Sequence, residues 1–190
     1  VVGWLDVDSP EAIIELDKYQ ELPGANYLKG IRDIVQDHPD PNYLARPQVN
    51  ESIKALGKRG LVFDILTKTP ELPGAIELVK KNPEVQFVLD HISKPYISKN
   101  EFEPWKSLIK EIAQFENVVC KVSGIVTEAN WSDWNIDQIN PYFEIILNNF
   151  GSKRLMYGSD WPVCTLAGSY KEVFNLAEEL SKNCTQTESQ

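Results

Sequence analysis

The segment RLMYGSDWPV, residues Arg154–Val163, runs from an apolar stretch straight into Gly-Ser-Asp-Trp-Pro. Leu155, Met156 and Tyr157 suit a strand. Gly158, Ser159 and Asp160 then deliver a carboxylate at its tip, and Pro162, which has no N–H to give a ladder, closes it. Five earlier runs repeat this plan: VVGWLDV (Val1–Val7), YLKGIRD (Tyr27–Asp33), LVFDILT (Leu61–Thr67), QFVLDHI (Gln86–Ile92) and VVCKVSG (Val118–Gly124). Near-continuous apolar runs of strand length fit parallel strands that are covered on both faces.

Helix-like segments lie between the runs. Ser9-Pro10-Glu11 reads as a helix start, with a capping serine, proline in the first turn and then an acid. Ala12, Ile13, Ile14, Leu16 and Tyr19 follow at helical spacing. Further helices are expected over Val49–Gly60, Glu71–Lys81, Glu101–Phe115, Asp137–Phe150 and Tyr170–Ser181, with Gly60 and Gly151 where a C-terminal glycine belongs. Strand starts recur roughly every 25–36 residues, the length of one βα unit. The fold class is therefore α/β with parallel strands, and both a (β/α)8 TIM-type barrel and a doubly wound sheet accommodate it. No G-x-G-x-x-G follows a strand and there is no P-loop, which lowers the nucleotide-binding options. A full barrel takes eight strands and about 250 residues. This chain offers six strands in 190 residues and its first residue already lies in one, so a barrel would be incomplete at the N-terminus. The expected organisation is one partial barrel over residues 1–182 and a polar tail over 183–190.

Composition narrows the partners. The chain is 42% hydrophobic and 25% charged, with net charge −9. Nucleic acid and anionic membrane surfaces reward clustered Lys and Arg, so neither is an expected partner. No apolar run approaches the roughly 18–20 residues of a membrane span. The N-terminus lacks the basic and apolar regions of a signal peptide. Cys120, Cys164 and Cys184 are odd in number and widely spaced, which suits neither a disulfide framework nor a zinc knuckle. A cytoplasmic setting and a small-molecule substrate are expected.

In parallel α/β folds the C-terminal strand ends carry function. Here they present Lys29, Arg32 and Asp33, then Asp90 and His91, then Lys121 and Ser123, and finally Asp160 and Trp161. Asp160 can bind a metal or take a proton from an attacking water; it can equally cap a strand-to-loop turn. Gly158, two residues before it, is expected to leave open space beside the carboxylate. His91 can be a metal ligand, a general acid, a carbonyl polariser or a hydrogen-bonded structural histidine. His38 lies in a Pro- and Asp-rich loop and reads as solvated. Arg32 and Lys29 can hold substrate oxygens, but strand alternation aims them at opposite faces. Lys121 stands in an apolar strand, so it needs a carboxylate partner or a polar cavity, and either pairing or substrate binding meets that need. Ser123 lacks the G-x-S-x-G elbow of a serine nucleophile. Trp131 and Trp134 fall in a long loop that either walls a site or packs on the surface.

KGIRD with Gln36, GLVFDIL (Gly60–Leu66), FVLDHISKP (Phe87–Pro95), VVCKVSG and RLMYGSDWPV come in this order across nearly the whole chain. The set resembles the amidohydrolase-2 type of the amidohydrolase superfamily, and within it the sugar-lactone and dicarboxylate-lactone hydrolase branch. The pairing of LDH-x-x-KP with GSDWPV carries most of the specificity. The resemblance implies a (β/α)8 barrel, water attack on the ring carbonyl of a lactone, Asp160 as general base and His91 near the metal or the carbonyl. It also implies that Arg32, with Lys29, Asp33, Lys121, Trp161 and Trp131 as further candidates, binds the substrate. A divalent metal, zinc by expectation, goes with the family. The His-x-His strand that usually supplies ligands has no counterpart here, Asp33 replaces the histidine of GIRH, and SKP replaces GKP at Ser93–Pro95. His91 and Asp160 are the metal ligands left, and weak or absent metal binding is expected. Two rival readings accompany the lactonase: an inactive or partner-dependent partial barrel that self-associates through open edges, and a non-oxidative decarboxylase on the same barrel.

Overall fold

The computed structural model describes residues 1–182 and Cys184. The tail expected over 183–190 otherwise lies outside the described residues. Among the described residues six strands and six α-helices alternate: β1 (Val2–Trp4), α1 (Ala12–Glu21), β2 (Gly30–Ile34), α2 (Pro47–Lys58), β3 (Val62–Leu66), α3 (Leu72–Lys81), β4 (Phe87–Leu89), α4 (Trp105–Ile112), β5 (Val118–Val122), α5 (Ile136–Phe150), β6 (Leu155–Tyr157) and α6 (Tyr170–Ser181). Each expected strand and helix is present. No helix among the described residues is long and apolar enough to cross a membrane.

The chain divides into two compact units. The first holds Val1–Leu89 with Phe115–Val118. In it β1, β2, β3 and β4 pair in chain order, all parallel, with Arg32 beside Asp64 and Asp64 beside Val88. Ile31, Phe63, Ile65, Phe87 and Leu89 are buried along these strands, and Val49, Ile53, Leu56, Leu72 and Val79 of α2 and α3 are buried as well. Gly60 follows α2 at φ +68°, and the Leu61 N–H returns to Leu56 O, so the glycine closes the helix where the sequence places it. Ser9 acts one turn earlier than expected: its Oγ accepts from Glu11 N–H, and α1 begins at Ala12 without a side-chain cap.

The second unit holds Asp90–Gln114 and the chain from Val119 onward. There β5 and β6 are parallel, with Lys121 opposite Met156. Trp105 of α4 and Tyr142 of α5 are fully buried, their ring centroids 5.4 Å apart, and Phe102 stacks on Tyr142 at 4.5 Å. Helix α4 is shorter than the expected Glu101–Phe115 because Pro104 sits just ahead of its first turn. Helix α6 opens with a capping box, Ser169 and Glu172 each bonding the other's backbone N–H.

Candidate active site

Strand β4 stops at Leu89, and the chain turns immediately into a left-handed coil. His91, Ile92, Ser93 and Lys94 all have φ between +45° and +56°. Non-glycine residues avoid this region because Cβ crowds the carbonyl, at a cost of about 1 kcal/mol or more each. Local bonds hold the turn. Asp90, fully buried, pairs with Lys121 Nζ at 2.7 Å. Trp105 Nε1–H donates to Ile92 O at 2.7 Å. Lys94 N–H donates to His91 O, and Lys94 Nζ lies 3.3 Å from Glu128.

The turn aims the His91 ring at two groups. Nδ1 is 2.8 Å from Ser123 Oγ, just past the end of β5. Nε2 is 3.6 Å from Asp160 Oδ1, and the two side chains are 11% and 10% exposed. Asp160 itself has φ +55° and lies three residues beyond β6, so its direction comes from this turn rather than from strand alternation. Its backbone carbonyl accepts from Cys164 N–H at 2.8 Å, and the Trp161–Pro162 peptide beside it is cis.

Two glycines make the close approach possible. A Cβ at Gly124, which has φ +61°, would stand 3.0 Å from Cβ, Cγ and Nδ1 of His91. A Cβ at Gly158 would stand 3.0 Å from the Ser123 Cβ. The second distance gives Gly158 a role of its own: its missing side chain makes room for Ser123.

Several expected substrate contacts have other work. Asp33 is buried, and its carboxylate accepts from Val7 N–H, Ile34 N–H and the Tyr43 hydroxyl at 3.2, 2.8 and 2.7 Å. Burial, followed by the Asp33 carboxylate, pushes the Tyr43 phenol well above its ordinary range. Asp33 thus anchors backbone and Tyr43. Lys121 takes the pairing alternative, with Asp90. Lys29 precedes β2 and is exposed, at the N-terminal end of the strand, so its placement gives no support to a substrate role. Arg32 is the middle residue of β2 and donates to Asp64 at 2.9 Å, with a third of its side chain exposed. His38, expected in a solvated loop, is half-buried: its Nδ1 accepts from Asp40 N–H, and its ring lies against Tyr43. Trp131 and Trp161 are exposed, the first donating to Thr127 O. Trp134 is the better-anchored loop tryptophan, its Nε1–H donating to Ala167 O at 2.7 Å.

Residues 1–189 match the family model for amidohydrolases of the second type. The chain belongs to that amidohydrolase family. It is 34% identical to an L-fucono-1,5-lactonase of Burkholderia ambifaria over 90% of this chain and 57% of that protein. It is 32% identical to an L-fucono-1,5-lactonase of Burkholderia multivorans over 96% of this chain and 64% of that protein. The chain therefore spans less than two thirds of the length of these relatives. A crystal structure of an amidohydrolase from Burkholderia multivorans with bound zinc matches at a TM-score of 0.90 and 33% identity, over 99% of this chain and 68% of that one. The expected class, a TIM-type parallel α/β barrel of which this chain carries six βα units, stands on that match. A divalent metal thus occurs in the family.

Whether this chain's own groups fit such an ion is a matter of donors. Catalytic zinc takes three protein ligands and a water. His91 Nε2 and Asp160 supply two, and no cluster of three or more His, Cys, Asp or Glu suited to a metal occurs among the described residues. The two donors do not by themselves make a zinc site.

Sequence reasoning missed Ser123 as the partner of His91, because it weighs serine only as a nucleophile. It also left Asp90 and Glu128 unassigned. The polarity of Asp90 at a strand end and the partner that Lys121 required were the available signals.

Proposed function

We propose that this chain carries the acid–base end of a lactone-hydrolysing site, with Asp160 as general base and His91 as the group that polarises the carbonyl. The observation that carries this reading is His91 Nε2 at 3.6 Å from Asp160 Oδ1, both side chains about nine-tenths buried. A carboxylate held out of bulk water beside an imidazole N–H pairs a proton acceptor with a donor, the two functions that ester hydrolysis needs. The likeness to lactonases supplies the substrate class.

The steps follow from these two groups. A water oxygen attacks the ring carbonyl carbon while Asp160 accepts its proton. The carbonyl π electrons move to oxygen, and His91 Nε2–H donates a hydrogen bond to the developing oxyanion. Collapse of the tetrahedral species breaks the ring C–O bond, and the proton held by Asp160 passes to the departing alkoxide. The product is the open-chain hydroxy acid. No step is routed through a metal, because the donors of this chain do not complete a site for one.

The test is hydrolysis of a panel of five- and six-membered sugar lactones by the protein that carries this chain, followed by acid release. Carbon dioxide analysis with hydroxybenzoates covers the decarboxylase alternative. Lactone opening without carbon dioxide release supports the proposal; carbon dioxide release without lactone opening overturns it.

A further inference from the structure

Ser123 is buried, yet the hydrogen bond its hydroxyl makes among the described residues is not to backbone but to the His91 ring, Oγ to Nδ1 at 2.8 Å. A serine hydroxyl can donate or accept, so this contact alone is compatible with either imidazole tautomer. The other side of the ring decides between them. Nε2 faces Asp160 Oδ1 at 3.6 Å in a site that excludes most solvent. An ionised carboxylate only accepts. An Nε2 lone pair turned toward it would place two electron-rich atoms face to face at low dielectric, whereas Nε2–H turns a positive dipole toward the charge. With the proton on Nε2, Nδ1 carries the lone pair, and the Ser123 hydroxyl becomes the donor.

We propose that Ser123 is a positioning residue for His91: its O–H donates to Nδ1 and, together with the Asp160 carboxylate on the other side of the ring, keeps the imidazole proton on Nε2, with that N–H turned toward Asp160. The proposal deepens the hydrolytic reading above and rests on it for its functional meaning. Packing supports it independently. Gly124 lies so close to the His91 ring, and Gly158 so close to Ser123, that a Cβ at either would come within 3.0 Å. Ring and hydroxyl thus lie close against two glycines whose missing side chains make room for them, and the left-handed turn at His91–Lys94 sets the ring's point of departure. Serine at this place has a consequence that a carboxylate partner would not have. A carboxylate would hold the proton on Nδ1 and leave Nε2 bare. A hydroxyl can donate to the lone pair on Nδ1, and so accommodates the Nε2–H donor that a developing oxyanion requires.

The chain contains two histidines, His38 and His91, which makes the test direct. Long-range proton–nitrogen correlation spectra of the nitrogen-15-labelled protein report which nitrogen of each ring carries the proton. The proposal predicts that His91 has Nε2 protonated and Nδ1 unprotonated. In Ser123→Ala the two His91 nitrogens should move toward averaged shifts while those of His38 stay in place, and Ser123→Thr, which keeps the hydroxyl, should restore the pattern. Lactone hydrolysis by Ser123→Ala should fall about 10–100-fold in kcat with KM little changed. A His91 ring protonated on Nδ1, or His91 nitrogens unmoved in Ser123→Ala, would overturn the proposal. The spectra report the positioning role without reference to turnover. Intact hydrolysis in an Asp160→Asn variant would therefore sink the catalytic reading while leaving this measurement to decide Ser123 separately.

Discussion

Lys121 Nζ lies 2.7 Å from Asp90 Oδ1, and Asp90, fully buried, is the residue from which the left-handed turn to His91 departs. A buried carboxylate is expensive unless it is paired, and this pair gives the turn a fixed origin. Lys121→Met keeps the apolar stem and removes the charge. It should destabilise the protein by about 3–5 kcal/mol, the usual cost of stranding one partner of a buried pair. Denaturant unfolding checks this. A change under 1 kcal/mol would mean that Asp90 does not depend on Lys121.

Gly124→Ala tests the packing beneath the His91 ring. The added methyl would meet three His91 atoms at 3.0 Å, on a backbone at φ +61°. Activity should fall at least tenfold. Gly60→Ala is the control, because Gly60 has a similar φ of +68° with no atom within 4 Å of the new methyl. It should lose about 1 kcal/mol of stability with activity retained. Equal activity in the two variants would remove Gly124 from the account.

The cysteines give a check on burial. Cys120 and Cys164 are buried, and burial pushes both thiols above their ordinary value. The thiolate is the reactive form. Iodoacetamide at pH 8 should therefore modify Cys184, which is half-buried, before either of the others, and denaturant should expose all three. Peptide mass spectrometry reads the order. Rapid labelling of Cys120 in the native protein would contradict the structure around β5.

The capping box of α6 makes a pH prediction. Hydrogen bonds from Ser169, side chain first and then backbone, hold the Glu172 carboxyl below its ordinary value near 4.5. A carboxyl whose folded value is depressed contributes stability that is present above its unfolded value and is lost as pH falls through the folded one. Thermal stability should thus drop as pH is lowered below 4.5, and Ser169→Ala should lower stability at pH 7 while making that acid-side drop shallower. Melting curves at pH 7 and across pH 3–4.5 measure it. An unchanged acid slope in Ser169→Ala would show that the box is not formed.

The helical and strand periods carried most of the architecture. Tyr170–Ser181 is helical over the residues expected, and each apolar run overlaps a strand. The differences cluster where the site is. The run expected to reach Ile92 ends at Leu89, because four successive residues adopt positive φ, a conformation that the β-branched Ile92 gives no local reason to expect. The last run ends at Tyr157, and alternation therefore says nothing about where Asp160 points. Asp160 and His91 were legible as candidates from their places at strand tips. Ser123 was not, because its meaning lies in a contact with a residue 32 positions away. The anchoring of Asp33 was equally out of reach, because the three donors that converge on its carboxylate come from Val7, Ile34 and Tyr43.

If the carboxylate of Asp160 removes a proton from water, Asp160→Asn is the decisive variant. Asparagine keeps the size and polarity of the side chain and removes its basicity. Steady-state hydrolysis of the best lactone from the panel should lose about 10²–10⁴-fold in kcat, with the melting temperature and lactone KM close to those of the parent. Retention of kcat within a factor of three in a folded Asp160→Asn protein would contradict the assignment.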